Sequence, residues 1–245
     1  MTVCKLAAIP VAFQNRYPYF SRLMQGYLTD ETPAITLAVN EEEILREEEG
    51  GRMLPPTLSQ GARMGYLESL ALYRKLASLL PSYGGFFLHS ALLSVHGRGI
   101  AVAAASGVGK STHAALWRDL CGDACEILNG DKPLLRQGED GIFYGYGTPF
   151  SGKEGWHKNA SAPMHALLLL ERGEEDRLTP LTPAEAFPAL YASVLAPAGK
   201  AAAAQLLPLL GRFLESIRIF RASVTPRPSA AEVAYRTLFG KELSL

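Results

Sequence analysis

The 245-residue sequence predicts an α/β protein, with a sheet-and-helix domain over residues 85–245 preceded by a smaller α+β lobe over residues 1–84. Three observations predict it. A strand, a glycine loop and a helix start follow one another directly in GIAVAAASGVGKST, residues 99–112. Short continuous apolar runs such as MHALLLLER alternate with longer segments of helical period, the pattern of a sheet covered by helices. The composition, 48% hydrophobic and 20% charged, is that of a globular chain long enough to bury a sizeable core.

The N-terminal elements follow in order. KLAAIPVAFQ alternates as one strand. NRYPYFSRLMQGYL reads as a polar-aromatic turn and then a short helix, and AITLAVN as a second strand. The acidic run EEEILREEE reads as a solvated face or short helix. GGRMLPPTLSQ, with its glycines and paired prolines, reads as loop. An amphipathic helix runs from Arg63 to Leu80, its stripe Leu67, Leu70, Leu76, Leu79 and Leu80, with Glu68, Arg74 and Lys75 mostly off it. Pro81, Gly84 and Gly85 end it.

In the second part, LHSALLSVHGRGIAVAA reads as strand, turn and strand, and THAALWRDLCGDA as a helix stopping near Gly122. CEILNGDKPLLRQ reads as a strand that reaches a turn at Asp131, and GIFYGYGTPFSGKEGWHKN as strand and loop. MHALLLLER is a buried strand. TPAEAFPALYASVL opens with a Thr182–Glu185 capping box and Pro183 in the first turn. AAAAQLLPLLGRFLES is helical with a kink or break at Pro208. RIFRASVTP is a late strand and SAAEVAYRTLF a terminal helix, with no internal repeat and no low-complexity tail.

Charge and cysteines narrow the function classes. Lys plus Arg and Asp plus Glu number 24 each, so no global field draws nucleic acid or an anionic membrane. Cys4, Cys121 and Cys125, without a signal pattern at the N-terminus, point to a reducing cytoplasm. The Cys121–Cys125 spacing lacks a second metal-binding pair and reads as thiols near a helix end. No run approaches the ~18 apolar residues of a membrane span.

The glycine loop is the strongest chemical signal. Binding a phosphate needs backbone N–H groups converging on one anion, small residues that let it approach, and a helix N-terminus behind. Gly99 to Ala105 leads in as a strand; Ser106, Gly107, Val108 and Gly109 form the loop. Lys110 supplies charge to the outer phosphates of ATP, Ser111 a hydroxyl for Mg2+, and Thr112 opens the helix. Ala104 stands where the P-loop pattern has glycine, which a negative φ tolerates. Asp131 ends an apolar strand about twenty residues on. It reads either as a carboxylate beside the phosphates, holding metal or accepting a proton, or as a turn former beside Gly130.

LHSALLSVHGRGIAVAAASGVGKST followed by ILNGDKPLLR resembles the catalytic core of the HPr kinase/phosphorylase family, and the layout is similar to ATP-dependent phosphoenolpyruvate carboxykinase. The match covers about residues 86–136 and extends to Gly155. NGDKPLLR with GTP-aromatic-SGKEG further resembles a bacterial subgroup of kinase-like proteins. The resemblance implies a P-loop kinase-like mixed sheet flanked by helices. It implies Mg2+ and ATP held by residues 104–112, with Ser111 and Asp131 toward the metal and Asp131 as proton acceptor. Gly130 falls where the family has its first aspartate, which removes part of the metal shell. His89 matches the family's histidine near the phosphates; its other reading is a satisfied histidine at a strand start.

Lys153, in GTPFSGKEG, reads as a cation clamping the transferred phosphoryl group or as an exposed lysine on a glycine-rich hairpin. Trp156 and His157 read as acceptor-pocket walls or as simple packing. The expected activity is an ATP-dependent kinase whose phosphoacceptor, a protein or peptide serine or a small-molecule hydroxyl, the sequence does not choose. A ribosomal peptide precursor is one candidate, since kinases of this family accompany peptide-modification systems. No HPr-docking segment follows Lys153, which argues against HPr. The alternative, favoured by Ala104 and Gly130, is a nucleotide-binding regulatory module. The resembling enzymes are hexamers; no interface signature is legible, and a homo-oligomer stays open.

Overall fold

The computed structural model describes residues 1–49 and 59–240. The expected GGRMLPPTLSQ loop therefore lies almost wholly outside the described residues. β1 (Thr2–Leu6) and β2 (Ile9–Phe13) form an antiparallel hairpin, and β3 (Ile35–Leu37) adds to β2 in parallel. KLAAIPVAFQ is thus two strand pieces and a turn rather than one strand. Ala7 and Ala8 sit in the turn at φ 49° and 62°, the conformation that Asn-Gly normally announces, so two alanines hid it.

α1 (Pro18–Leu23) and α2 (Glu41–Glu49) follow. The acidic run is a helix because Asn40 and Glu43 cap each other through reciprocal backbone bonds of 2.8 Å. α3 (Gln60–Leu79) starts earlier than the apolar stripe suggests, capped by Ser59. Glu68, expected off the core face, is fully buried. Its carboxylate accepts from the Arg16 and Tyr17 backbone N–H groups at 2.6 and 3.1 Å, which offsets the loss of water.

The rest of the chain runs β4 (Gly85–Phe87), β5 (Ser90–Val95), β6 (Arg98–Ala103), α4 (Lys110–Cys121), β7 (Cys125–Asn129), β8 (Leu134–Gln137) and β9 (Phe143–Tyr146). It continues with β10 (Ser161–Arg172), β11 (Arg177–Pro180), α5 (Pro183–Ser193), α6 (Lys200–Ser216), β12 (Arg218–Val224) and α7 (Ser229–Phe239). These nine strands form one sheet in the order β4-β8-β9-β10-β6-β5-β7, with β12 joined to β10 and β11 to β12. β10 pairs in parallel with β6 and β12; the other pairs are antiparallel. The sheet is mixed.

The central strands β5, β6 and most of β10 are apolar because both their faces are covered. Leu93, Ile100, Val102 and Leu168 pack with Trp117 of α4 and Tyr235 of α7. Their neighbours Leu92, Ala101, Ala103 and Leu167 turn to the other face, against Leu190 of α5 and Leu210 and Phe213 of α6. α6 runs unbroken through Pro208. Its buried residues Leu206, Leu209, Leu210, Phe213 and Leu214 hold both sides of the proline against the sheet, which offsets the lost hydrogen bond. The N-terminal sheet and α3 share a core with Phe87 and Leu134 of the large sheet.

Candidate functional site

β6, β10 and β12 run in parallel, and their C-terminal ends open on one edge, where loops collect functional groups. The loop after β6 spans Ala104 to Gly109 before α4 begins at Lys110. Gly107 and Gly109 have φ of 79° and 124°, so glycine is needed there for backbone freedom. Ala104 is not among the described residues with left-handed backbone, which besides glycines are Ala7, Ala8 and His96. Its methyl packs into the core under the sheet instead of entering the loop. Arg172, the last residue of β10, donates to the Gly107 carbonyl at 2.6 Å and holds the loop from behind.

Lys110 curls back over this loop. Its Nζ donates to the Ala104 carbonyl at 3.3 Å and lies 3.0 Å from His89 Nε2. Burial pulls the ammonium below its usual pKa, against the opposing pull of Asp131 and Glu154. His89 Nε2 also lies 3.2 Å from Asp131 Oδ1, and Lys132 Nζ lies 2.9 Å from Asp131 Oδ2. Burial works against the Asp131 charge, but the hydrogen bonds from His89 and Lys132 outweigh it and hold the carboxyl well below the usual range. One imidazole nitrogen thus serves two partners. With a proton on it, it donates to Asp131; without one, it accepts from Lys110.

The backbone around these groups is tied down. The N–H groups of His89 and Ser90 donate to Ser193 and Asp131 carbonyls at 2.7 and 3.1 Å. Buried Asn129 makes the turn that aims Asp131. Its Oδ1 accepts from the N–H groups of Asp131 and Lys132 at 2.8 and 2.7 Å, and its Nδ2 donates to the Thr148 carbonyl at 2.8 Å. Gly152 packs so close that a Cβ there would lie 2.9 Å from Asp131 Cβ.

A cleft of about 420 Å³ results, lined by Ser106, Gly107, Gly109, Lys110, Ser111, Thr112, Asp131 and Lys153, with Gly130, Gly152 and Glu154. His89 does not line it; it lines a neighbouring cavity with Lys132 and Val194 and meets the cleft only through its contacts with Lys110 and Asp131. Val108 does not line it; it faces a second cavity behind the loop. Lys153 sits on the rim, 91% exposed and 4.0 Å from Glu154, apart from the Lys110–His89–Asp131 cluster. Trp156 packs under the Arg118 guanidinium and His157, though exposed, stacks on Tyr27; neither lines the cleft. Reading the sequence missed Asn129, Lys132, Thr148, Glu154 and Arg172. Only Asn129-Gly130 carried a signal, as a turn pair.

Among the described residues no group of three His, Cys, Asp or Glu side chains could hold a metal by itself. Ser111 and Asp131 on one cleft suit a magnesium ion that takes most of its ligands from phosphate and water. All three cysteines are buried and free. No described helix is long and apolar enough to cross a membrane.

Fold and site define a mixed α/β protein whose glycine loop, between a strand and a helix, faces a histidine–aspartate pair. Residues 68–199, more than half of the chain, match the family described as SynChlorMet cassette protein ScmC, and the chain belongs to that family. This span contains His89, the loop, Asp131 and Arg172. No curated protein matches it. Among solved structures, the HPr(Ser) kinase/phosphatase from Coxiella burnetii aligns over 62% of this chain and 95% of its own, at 10% identity and a TM-score of 0.36. That likeness is too distant to assign residues.

Proposed function

We propose that the protein is an ATP-dependent phosphotransferase acting on a hydroxyl. The observation that carries the reading is the meeting of Lys110, His89 and Asp131, within 3.0 and 3.2 Å of one shared nitrogen, at a loop with two left-handed glycines. The amides of Ser106 to Lys110 and the α4 N-terminus would bind the β- and γ-phosphates. Ser111 and Asp131 would hold Mg2+, which supplies charge neutralisation when bound. Lys110 would leave His89 for the phosphates, whose negative charge would favour its ammonium form. His89, then free of Lys110, would hold its proton toward Asp131 and orient the carboxylate at the acceptor hydroxyl. A low-pKa carboxylate is a weak base, yet phosphoryl transfer asks mainly for positioning and electrostatics. Lys153, exposed on the rim, is free to swing in as a clamp.

A second reading, a nucleotide-binding regulatory module, is favoured by one observation. Gly130, where the resembling family has its first aspartate, carries no carboxylate, and a Cβ there would sit tightly against the Ser151 carbonyl at 3.2 Å, a contact that a small shift of the loop would relieve. Calorimetry of Mg-ATP with wild type and Lys110→Ala, followed by assay of ADP in the same samples, separates the readings. Binding that is lost in Lys110→Ala, with ADP formed by wild type, supports the kinase. Binding without ADP favours the module, and no binding overturns both.

A further inference from the structure

The cavity that His89 lines has a volume of about 160 Å³, and no residue of the glycine loop reaches it. Two parts of the chain build it. From the N-terminal part, α3 contributes Leu70, Tyr73 and Arg74, which stand at i, i+3 and i+4 and so share one helix face. From the other part come His89, Lys132 and the end of α5. His89 and Lys132 are also the two side chains that grip Asp131, at 3.2 and 2.9 Å. The cavity therefore abuts the phosphate cleft through these two residues.

Its charge is one-sided. Arg74, Lys132 and His89 line it, and no carboxylate does. The Arg74 Nε–H donates to Glu47 of α2 at 2.8 Å, and no described residue hydrogen-bonds its two Nη groups. Lys132 has three N–H donors and gives one to Asp131. Its ammonium lies 5.8 Å from the Tyr73 ring centroid. Both cations thus carry unspent donors on a cavity whose remaining walls are mainly apolar, from Leu70, Val194 and Leu195. Charged donors beside apolar walls suit a carboxylate, because they bond it more strongly than in open water. The volume sets the size of the guest: a cavity of about 150 Å³ takes a molecule of about six heavy atoms.

We infer that this cavity binds the phosphoacceptor, and that the acceptor is a small hydroxy acid, in which the hydroxyl and a free carboxylate lie within a few bonds of each other. The inference rests on the phosphotransferase reading above and gives that site its substrate class. Arg74 and Lys132 hold the carboxylate, the apolar walls hold the carbon chain, and the hydroxyl is presented past His89 to Asp131. The hydroxyl oxygen then bonds to the γ-phosphorus of ATP. The bond from that phosphorus to the β–γ bridging oxygen breaks, and its electron pair leaves with ADP. The hydroxyl proton passes to Asp131 and on to solvent. A serine inside a protein chain has an amide where this site wants a carboxylate. A free hydroxy acid and the last residue of a peptide both keep the carboxylate, so they share the chemistry. The N-terminal part of the chain, through α3, supplies half of the site.

The experiment gives the protein Mg-ATP with two sets of acceptors: free serine, glycerate and lactate, and short peptides ending in serine or threonine. Each acceptor is also supplied as its carboxamide, and Mg-ATP binding is measured by calorimetry on the same samples. At least one acid is expected to raise ADP formation and yield a phosphate ester, with kcat/KM about tenfold or more above that of its amide. The set that responds separates the free acid from the chain terminus. Arg74→Gln should bring the acid-to-amide ratio close to one, and Arg74→Lys should restore part of it. Ala192→Trp, at an exposed position lining the cavity, should remove acceptor-dependent ADP formation, with thermal melts verifying that it folds. Equal use of acid and amide by wild type would overturn the inference. So would an undiminished ratio in Arg74→Gln, full acceptor turnover in folded Ala192→Trp, or Mg-ATP binding with no response to any acid, all of which leave the phosphate loop standing. Failure to bind Mg-ATP would overturn the loop reading and this inference together.

Discussion

His89 Nε2 lies 3.2 Å from Asp131 Oδ1, and the two residues reach that distance from different strand ends, one before β5 and one after β7. β5 and β7 are antiparallel neighbours, so the start of one meets the end of the other. If this pair positions a carboxylate for transfer, Asp131→Asn should keep Mg-ATP affinity within a few-fold. It should lower nucleotide turnover by roughly 10²- to 10⁴-fold, the usual range for a positioned acid–base group. ADP formation under single-turnover conditions reads this directly. Full turnover in Asp131→Asn would remove the aspartate from the chemistry.

The same pair predicts an acid limb of stability. The Asp131 carboxyl is held below its ordinary value of 3.8 by His89 and Lys132, despite burial. Its folded pKa is depressed, so between the folded and unfolded values the unfolded chain holds the extra proton. Stability from this group is present above pH 3.8 and is lost as pH falls toward the folded value. The difference in unfolding free energy between wild type and Asp131→Asn should therefore hold down to about pH 4 and shrink as the pH falls below 3.8. Denaturant melts at several pH values test it, and a difference independent of pH would mean the ion pairs do not form in solution.

Gly152 offers a positional test. Alanine there must take a left-handed φ of 76° and bring its Cβ to 2.9 Å from Asp131 Cβ. Gly155 has a similar φ of 68° but no atom within 4 Å of a Cβ. Each alanine should cost about 1–2 kcal/mol in backbone conformation. Only Gly152→Ala should also push Asp131 aside and depress turnover beyond what its melting temperature explains. Equal turnover in the two variants would show that Asp131 tolerates displacement.

What was legible in the sequence was local. The glycine loop, the Thr182–Glu185 capping box and the apolar run of β10 depend on neighbours within a few residues, so their chemistry can be read in place. The mixed sheet was expected through resemblance, because strand direction is decided by partners far apart in the chain. Short strands β4, β8 and β11, of three or four residues, carry too little pattern to be told from loop. Glu68 read as lying off the apolar stripe because its two backbone donors lie about fifty residues away. Nothing near Arg172 in the sequence points to its role, since its target, Gly107, is 65 residues upstream.

Asn129 is the clearest case of a residue whose importance only the fold reveals, and it carries the last prediction. Its side chain joins two segments: Oδ1 takes the Asp131 and Lys132 N–H groups, and Nδ2 reaches the Thr148 carbonyl at 2.8 Å and hydroxyl at 3.1 Å. Thr148 in turn donates its hydroxyl to the Lys132 carbonyl at 2.7 Å. Asn129→Ala strands two backbone donors and one carbonyl, which should cost about 2–4 kcal/mol at roughly 1–3 kcal/mol per unsatisfied buried group with partial relaxation. Asn129→Asp keeps the acceptor for the Asp131 turn but sets a carboxylate oxygen against the Thr148 carbonyl. It should therefore destabilise at neutral pH and recover as the pH falls and the new carboxyl becomes a donor. Melts of Asn129→Asp at pH 7 and pH 5 measure this, and a variant as stable as wild type at both would mean that the Asn129–Thr148 bond does not hold the turn.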